Sequence, residues 1–262
     1  MGTPREDLAK KLREARIGAG YETQNALARR LNRSRPAISK AENPLADLPS
    51  KDLLTAWAVA TGAPLDEITE LAGRTRSGTP EWFMPYKRAE AEAHTLRCWA
   101  PTVFPGLLQC ESYARTLFDR RGYALSRIDE LVAARMERQQ VIGHAQLTAI
   151  IDELVLRRCV GSSTVMAEQC AYVAGMAERR EITLHVVPEG TNIGTGGALD
   201  IAANNHGTTV CLTTGLDDVT SMAPDVVARA MQTFERILGA ALPCPESLEL
   251  VRATEDQWKT QV

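Results

Sequence analysis

No run of apolar residues approaches the roughly 18–20 that a bilayer-spanning helix needs, so no membrane partner is expected. The opening segment, Met1 to Lys11, is charged and lacks the apolar centre of a secretory signal, which places the chain in the cytoplasm as an expectation. Six cysteines (Cys98, Cys110, Cys159, Cys170, Cys211, Cys244) all follow residue 97, and no two stand in Cys-x-x-Cys spacing. Zinc sites usually take ligands in close pairs, because one short turn then presents two of them. Here the four histidines (His94, His144, His185, His206) also stand alone. No metal and no cofactor is expected, and the thiols read as reduced and mostly buried.

Signatures of catalysis are equally scarce. Neither Gly-x-Ser-x-Gly nor His-Glu-x-x-His occurs, and no cysteine lies within three residues of a histidine in sequence. Distance along the chain does not exclude proximity in space. Gly194-Thr-Gly196-Gly197 lacks the Lys-Ser/Thr and the following helix of a phosphate loop, and reads as a hairpin turn. The adjacent Asp152 and Glu153 point apart on regular structure, and Glu153 with Arg157 reads as an i, i+4 ion pair. Asp217-Asp218 reads as a turn. The chain is therefore not expected to be an enzyme.

What is present is ordinary in bulk and uneven in distribution. With 262 residues, 44% apolar and 24% charged, the chain can bury a core as one large or two small domains. The net charge of −3 hides an asymmetry. Residues 1–45 hold ten Lys/Arg against five Asp/Glu, a local net of +5, which leaves −8 for the remainder. A basic head on an acidic body suggests that the head meets a polyanion.

Five short helices are legible in the first seventy residues. Leu8, Leu12 and Ala15 form an apolar stripe that ends at Gly18 and Gly20. Thr23 can cap a second helix carrying Leu27, Ala28 and Leu31, and Asn32 suits a sharp left-handed turn. Ser34 can cap a third, with Pro36 in its first turn and Ile38 and Ala41 as its apolar face. Ser50 opens a fourth, closed by Gly62, and Pro64 a fifth, closed by Gly73.

Two short helices joined by a tight turn, the second one basic, form the helix-turn-helix pattern. The gapless run from Gln24 to Asn43, with Ala28 at the close crossing, Asn32 in the turn, buried Ile38 and terminal Glu42, resembles the phage-repressor class, the XRE family. The resemblance implies double-stranded DNA as partner. It places Arg35, Pro36, Ser39 and Lys40 toward the major groove and Gln24 at a phosphate. An Arg at the helix start can reach guanine O6 and N7 with both arms of its fork. Arg33 and Asn43 suit phosphates, which position without reading sequence. Pro36 and Asn43-Pro44 depart from the usual pattern, and Pro36 removes one polar contact. A charged face on a small bundle with no DNA role is the alternative.

Residues 73–80 read as a flexible linker and 81–262 as an α+β domain with a small sheet, following an N-terminal domain over 1–72. Helices are expected at 81–94, 106–121, 127–142 (capped by Ser126), 164–179 (capped by Ser163), 225–240 and 245–252. Strands are expected at 96–100, 147–151, 182–187, 198–203 and 208–213. Pro105-Gly-Leu-Leu-Gln109, Tyr113-Ala-Arg115, Arg135-Met-Glu-Arg138-Gln139, Asp152-Glu153, Val186-Val-Pro188 and Glu246-Ser247 resemble a domain of unknown function fused to XRE domains in WhiJ-like actinomycete regulators. That resemblance implies a regulator, in some cases antitoxin-like and encoded beside a small partner protein. Its second domain would bind that partner, dimerise the chain or sense a small molecule. A groove near Gln109, Tyr113, Arg135 and Gln139 is the expected contact surface.

The expectation is thus a dimeric, sequence-specific regulator. An antitoxin-like protein that sequesters a small partner, with DNA binding autoregulatory, is the alternative. Enzyme activity in the second domain is a third reading.

Overall fold

The computed structural model describes residues 4–46, 48–77, 81–120, 125–191, 194, 197–214 and 218–261. They form two compact units, Met1–Glu81 and Trp82–Val262.

The first unit is all helical: α1 (Pro4–Gly18), α2 (Gln24–Arg30), α3 (Arg35–Ala41), α4 (Lys51–Thr61) and α5 (Leu65–Ser77). Its core takes Leu8 and Leu12 from α1, Leu27 and Ala28 from α2, and Ile38 and Ala41 from α3; Leu53, Leu54 and Trp57 from α4 and Ile68 from α5 complete it. The caps follow from residue type. Thr23 Oγ1 accepts from Ala26 N–H at 3.2 Å, Ser34 Oγ from Ala37 N–H at 3.4 Å and Ser50 Oγ from Leu53 N–H at 3.3 Å. Asn32 takes the left-handed conformation with φ 50°, which ends α2 abruptly and redirects the chain into α3. Gly62, φ 69°, ends α4 in the same way. Gly73 does not end α5. The helix runs through it to Ser77, with Thr75 Oγ1 donating to Leu71 O at 2.8 Å, so the first part of the expected linker is helical. Residues 78–80 lie outside the described residues.

The second unit is built on a six-stranded mixed sheet in the order β3-β2-β1-β4-β5-β6. Its strands are β1 (Thr95–Ala100), β2 (Gln146–Asp152), β3 (Ile182–Val187), β4 (Ala198–Asn204), β5 (Gly207–Thr213) and β6 (Val219–Ser221). β1, β2 and β3 are parallel, and β4, β5 and β6 continue antiparallel from β1. The helices are α6 (Met84–Ala91), α7 (Glu111–Asp119), α8 (Leu125–Arg138), α9 (Glu153–Arg157), α10 (Ser163–Glu178), α11 (Pro224–Gly239) and α12 (Cys244–Lys259). One sheet face, with Leu96, Cys98, Leu147, Ala149 and Leu184, shares a core with residues of α6, α7, α10 and α12. The other, with Trp99, Ile150, Ile201 and Val210, packs on Ala230, Phe234 and Ile237 of α11. Strand β3 alternates, with Ile182, Leu184 and Val186 buried and Thr183 exposed, until its last residue, Val187, which is buried on the α11 side because that face is covered there as well.

Several expected bounds shift. The expected first helix is a 3₁₀ turn at Glu81–Phe83 followed by α6. Helix α8 already begins at Leu125, so Ser126 lies inside it, and α10 is capped by Ser162, whose Oγ accepts from Val165 N–H at 3.3 Å. Helix α9 and strand β6 have no counterpart among the expected elements, being five and three residues long, below the length at which periodicity registers.

Candidate nucleic-acid interface

The first unit contains ten basic residues before position 45, and the structure sorts them. Arg5 is buried, its guanidinium donating to Lys40 O at 2.9 Å, Ala41 O at 3.1 Å and Ala46 O at 3.3 Å, where it closes the C-terminal end of α3. Burial lowers its pKa from the ordinary arginine value. Arg16 is buried as well. Its Nε and Nη2 donate to the two oxygens of Glu42 at 2.6 and 3.1 Å, and its Nη1 reaches Tyr21 O and Glu22 O. The Arg16 and Glu42 side chains are 6% and 1% exposed, so this pair is internal architecture. Lys10 faces Glu14, Lys11 pairs with Glu67, and Arg13 lies 3.8 Å from Glu42.

Five cations remain. Arg29 and Arg30 at the end of α2, Arg33 in the turn, and Arg35 and Lys40 on α3 are all exposed. Among the described residues none of them pairs with an acidic side chain. Charge along the chain thus locates the basic surface but not its composition. Arg5 and Arg16 contribute to the formal +5 and not to the surface.

Pro36, Ser39 and Asn43 are exposed on the same helix and its end. Asn43 Oδ1 accepts from Leu45 N–H at 2.9 Å, which leaves its amide hydrogens directed elsewhere. Gln24, half-buried at the start of α2, donates one amide hydrogen to Glu42 Oε2 at 2.9 Å. Glu42 therefore holds Arg16 with both oxygens and orients Gln24. A groove of about 430 Å³ is lined by Arg13, Arg16, Glu22, Thr23, Gln24, Asn25, Arg35 and Glu42. The expected phosphate residue and the first expected base reader share one concavity. Sequence reasoning assigns Glu42 only a helix end; its partner Arg16 lies 26 residues earlier, too far for a local pattern to show.

The four residues singled out in the second unit also come together, as a brace and not as an open groove. Gln109 is 3% exposed; its Nε2 donates to Phe104 O at 2.7 Å and its Oε1 accepts from Arg135 Nη1 at 2.6 Å. Gln139 Nε2 donates to Gln109 O at 2.6 Å and its Oε1 accepts from Tyr172 OH at 3.0 Å. Tyr113 is fully buried, and desolvation pushes its phenol up to about 12. Phe104 N–H donates to Tyr113 OH at 3.4 Å, and the bonds from Arg135 and Gln139 to Gln109 tie the end of the 3₁₀ turn at Gly106–Leu108 to α8 and the residues after it.

A second buried cluster joins Arg138, named in the sequence only as part of a quoted run, to acids that the sequence does not single out. Glu90 on α6, 2% exposed, accepts from Arg138 Nη2 at 2.6 Å. Desolvation opposes the Arg138 charge, but the Glu90 hydrogen bond and charge outweigh it and raise its pKa. Asp200 on β4, opposite Cys98 of β1, is half-buried, and burial raises its carboxyl to about 7. Arg138 lowers it and Glu90 raises it, both to a smaller degree. Among the described residues no group of three or more His, Cys, Asp or Glu could hold a metal, and no helix is long and apolar enough to cross a membrane.

A mixed sheet covered by helices on both faces, accompanied by a separate five-helix unit, is the class of architecture present. Residues 83–253 match the model of a domain of unknown function, DUF5753, and the chain belongs to that family. No curated protein and no solved structure matches. The five-helix unit lies outside the matched residues.

Proposed function

We propose that the first unit is an XRE-type DNA-binding module and that the chain is a sequence-specific transcriptional regulator. The observation that carries this reading is the segregation of charge. Among the described residues before position 45, five exposed cations without acidic partners lie on α2, the turn and α3, while the other basic residues there are buried or paired; beyond that segment Lys51 on α4 is also exposed and without an acidic partner. A merely solvated surface gains nothing from clustering five unpaired cations on one motif. A polyanion makes that arrangement favourable, because each neutralised phosphate releases condensed counterions.

In this reading α3 lies in the major groove. Arg35 reaches guanine O6 and N7 with its fork, while Ser39 and Lys40 face base edges one turn further on. Pro36 offers an apolar contact only. Gln24, with its remaining amide hydrogen, and the free amide of Asn43 hold phosphates, joined by Arg29, Arg30 and Arg33. One such head makes few contacts, so useful affinity calls for a dimer on a palindrome with half-sites about 34 Å apart. The DUF5753 unit is the proposed source of that symmetry or of partner binding. The chain is proposed to act in the cytoplasm, where DNA is accessible.

The test is fluorescence anisotropy on duplex DNA across a salt series. The expected log–log slope is steep, and Arg33→Gln makes it shallower by about 0.9 for each phosphate that the variant leaves unneutralised. Binding that is insensitive to salt, or an Arg33→Gln slope equal to wild type, contradicts the assignment.

A further inference from the structure

Within the second unit, the structure assembles a nucleophile and a base from residues 59 positions apart. Cys244 is the first residue of α12, and His185 lies on the edge strand β3. The connection between α11 and α12 is pinned along that edge. Leu242 N–H donates to Val186 O at 2.8 Å, Val186 N–H donates to Ser247 Oγ at 3.0 Å, and Ser247 Oγ donates to Leu242 O at 3.1 Å. The same Leu242 carbonyl accepts from His185 Nδ1 at 2.9 Å.

That last contact fixes the tautomer. A carbonyl oxygen only accepts, so Nδ1 carries the hydrogen, and in the neutral imidazole Nε2 is left with its lone pair. Nε2 stands 3.5 Å from Cys244 Sγ, within reach of the thiol hydrogen. A third group thus orients the base, and the base faces the nucleophile, which is the arrangement that activates a thiol.

The other cysteines lack this combination. Cys98, Cys110, Cys170 and Cys211 are buried, and burial pushes the thiols of Cys170 and Cys211 up to about 12. Cys159 is exposed like Cys244, but its Sγ faces the carbonyl of Gly161 at 3.8 Å, which cannot take a proton. Accessibility and a positioned base coincide only at Cys244 among the described residues.

We propose that Cys244 and His185 form a reactive thiol site that undergoes exchange with low-molecular-weight disulfides. His185 Nε2 takes the proton from Sγ as Sγ attacks one sulfur of the incoming disulfide. The S–S bond of the reagent breaks, a new S–S bond forms to Cys244, and the departing thiolate takes the proton back from the imidazolium. Cys244 is oxidised to a mixed disulfide, half of the reagent is reduced to a thiol, and no other oxidant is needed. The site is independent of the DNA-binding reading, and neither its success nor its failure bears on that reading.

The experiment uses the full, reduced chain with excess oxidised glutathione at neutral pH, and follows each cysteine by peptide mass spectrometry. The mixed disulfide is expected to form at Cys244 at least about tenfold faster than at Cys159, in line with the gain from a positioned base. His185→Gln is expected to bring Cys244 to within about twofold of Cys159. A wild-type ratio below tenfold overturns the proposal, as does a Cys244 rate that His185→Gln leaves unchanged. The wild-type ratio needs no variant, so it decides the matter even if His185→Gln fails to fold.

Discussion

Arg35 stands exposed at the first position of α3 and lines the same groove as Gln24 and Arg13. If it reads guanine, Arg35→Ala costs about 1–3 kcal/mol on the preferred site and little on unrelated DNA. Anisotropy on matched and scrambled duplexes checks this, and equal losses on both would remove Arg35 from readout. Gln24→Ala should instead weaken all duplexes alike. Asp200 carries a different prediction, about stability. Its carboxyl is raised by burial from 3.8 to about 7, so between those values the folded state binds a proton that the unfolded chain does not. Stability from this group is therefore greatest at acid pH and is lost as pH rises from about 3.8 to about 7. Asp200→Asn should flatten that dependence and raise the unfolding temperature at pH 8 relative to wild type. Parallel thermal unfolding of the two chains from pH 5 to pH 8 measures it, and superimposable pH profiles would show that Asp200 is not the group responsible. Residue type announces the exposed set Arg33, Arg35, Ser39 and Lys40 because motif position and polarity coincide there. It does not announce the burial of Arg5 and Arg16, since formal charge carries no information about depth.

Among the elements, α1, α2 and α3 are locked by one buried ion pair. Arg16 and Glu42 satisfy each other and, through Tyr21 O, Glu22 O and the Gln24 amide, fix the start of α2 against the end of α3. Removing one partner of a buried pair leaves an uncompensated charge and costs about 3–5 kcal/mol, whereas replacing both with apolar residues is often neutral. Glu42→Ala should accordingly destabilise the first unit by that amount in urea unfolding, and Arg16→Met with Glu42→Leu should recover most of it. A Glu42→Ala chain as stable as wild type would mean that the pair contributes nothing to the fold. The elements themselves are legible where local chemistry decides them: Thr23, Ser34 and Ser50 as caps, Asn32 and Gly62 as left-handed ends. Gly73 misleads because glycine permits a helix end without requiring one. The second-unit residues Gln109, Tyr113, Arg135 and Gln139 lie near one another, as their places on a turn and two neighbouring helices suggest. Whether they face solvent or each other depends on α10 and the sheet, which that local pattern does not contain.

On the scale of the whole molecule, charge is unevenly distributed along the chain. The basic segment, residues 1–45, lies within the small helical unit, and the second unit carries the six-stranded sheet and the match to DUF5753. The expected sheet strands all exist, because alternating and buried apolar runs mark them. The order β3-β2-β1-β4-β5-β6 is not legible locally, since strand order is set by which long-range pairings bury the two faces together. The central claim, that the basic unit reads DNA sequence, is tested most directly by selecting bound duplexes from a random pool with the full chain and re-measuring the winners at two salt concentrations. A recovered palindrome with half-sites about 34 Å apart, and affinity that falls steeply with salt, is the expected result. A pool that shows no enrichment, with only weak binding that ignores sequence, would contradict it.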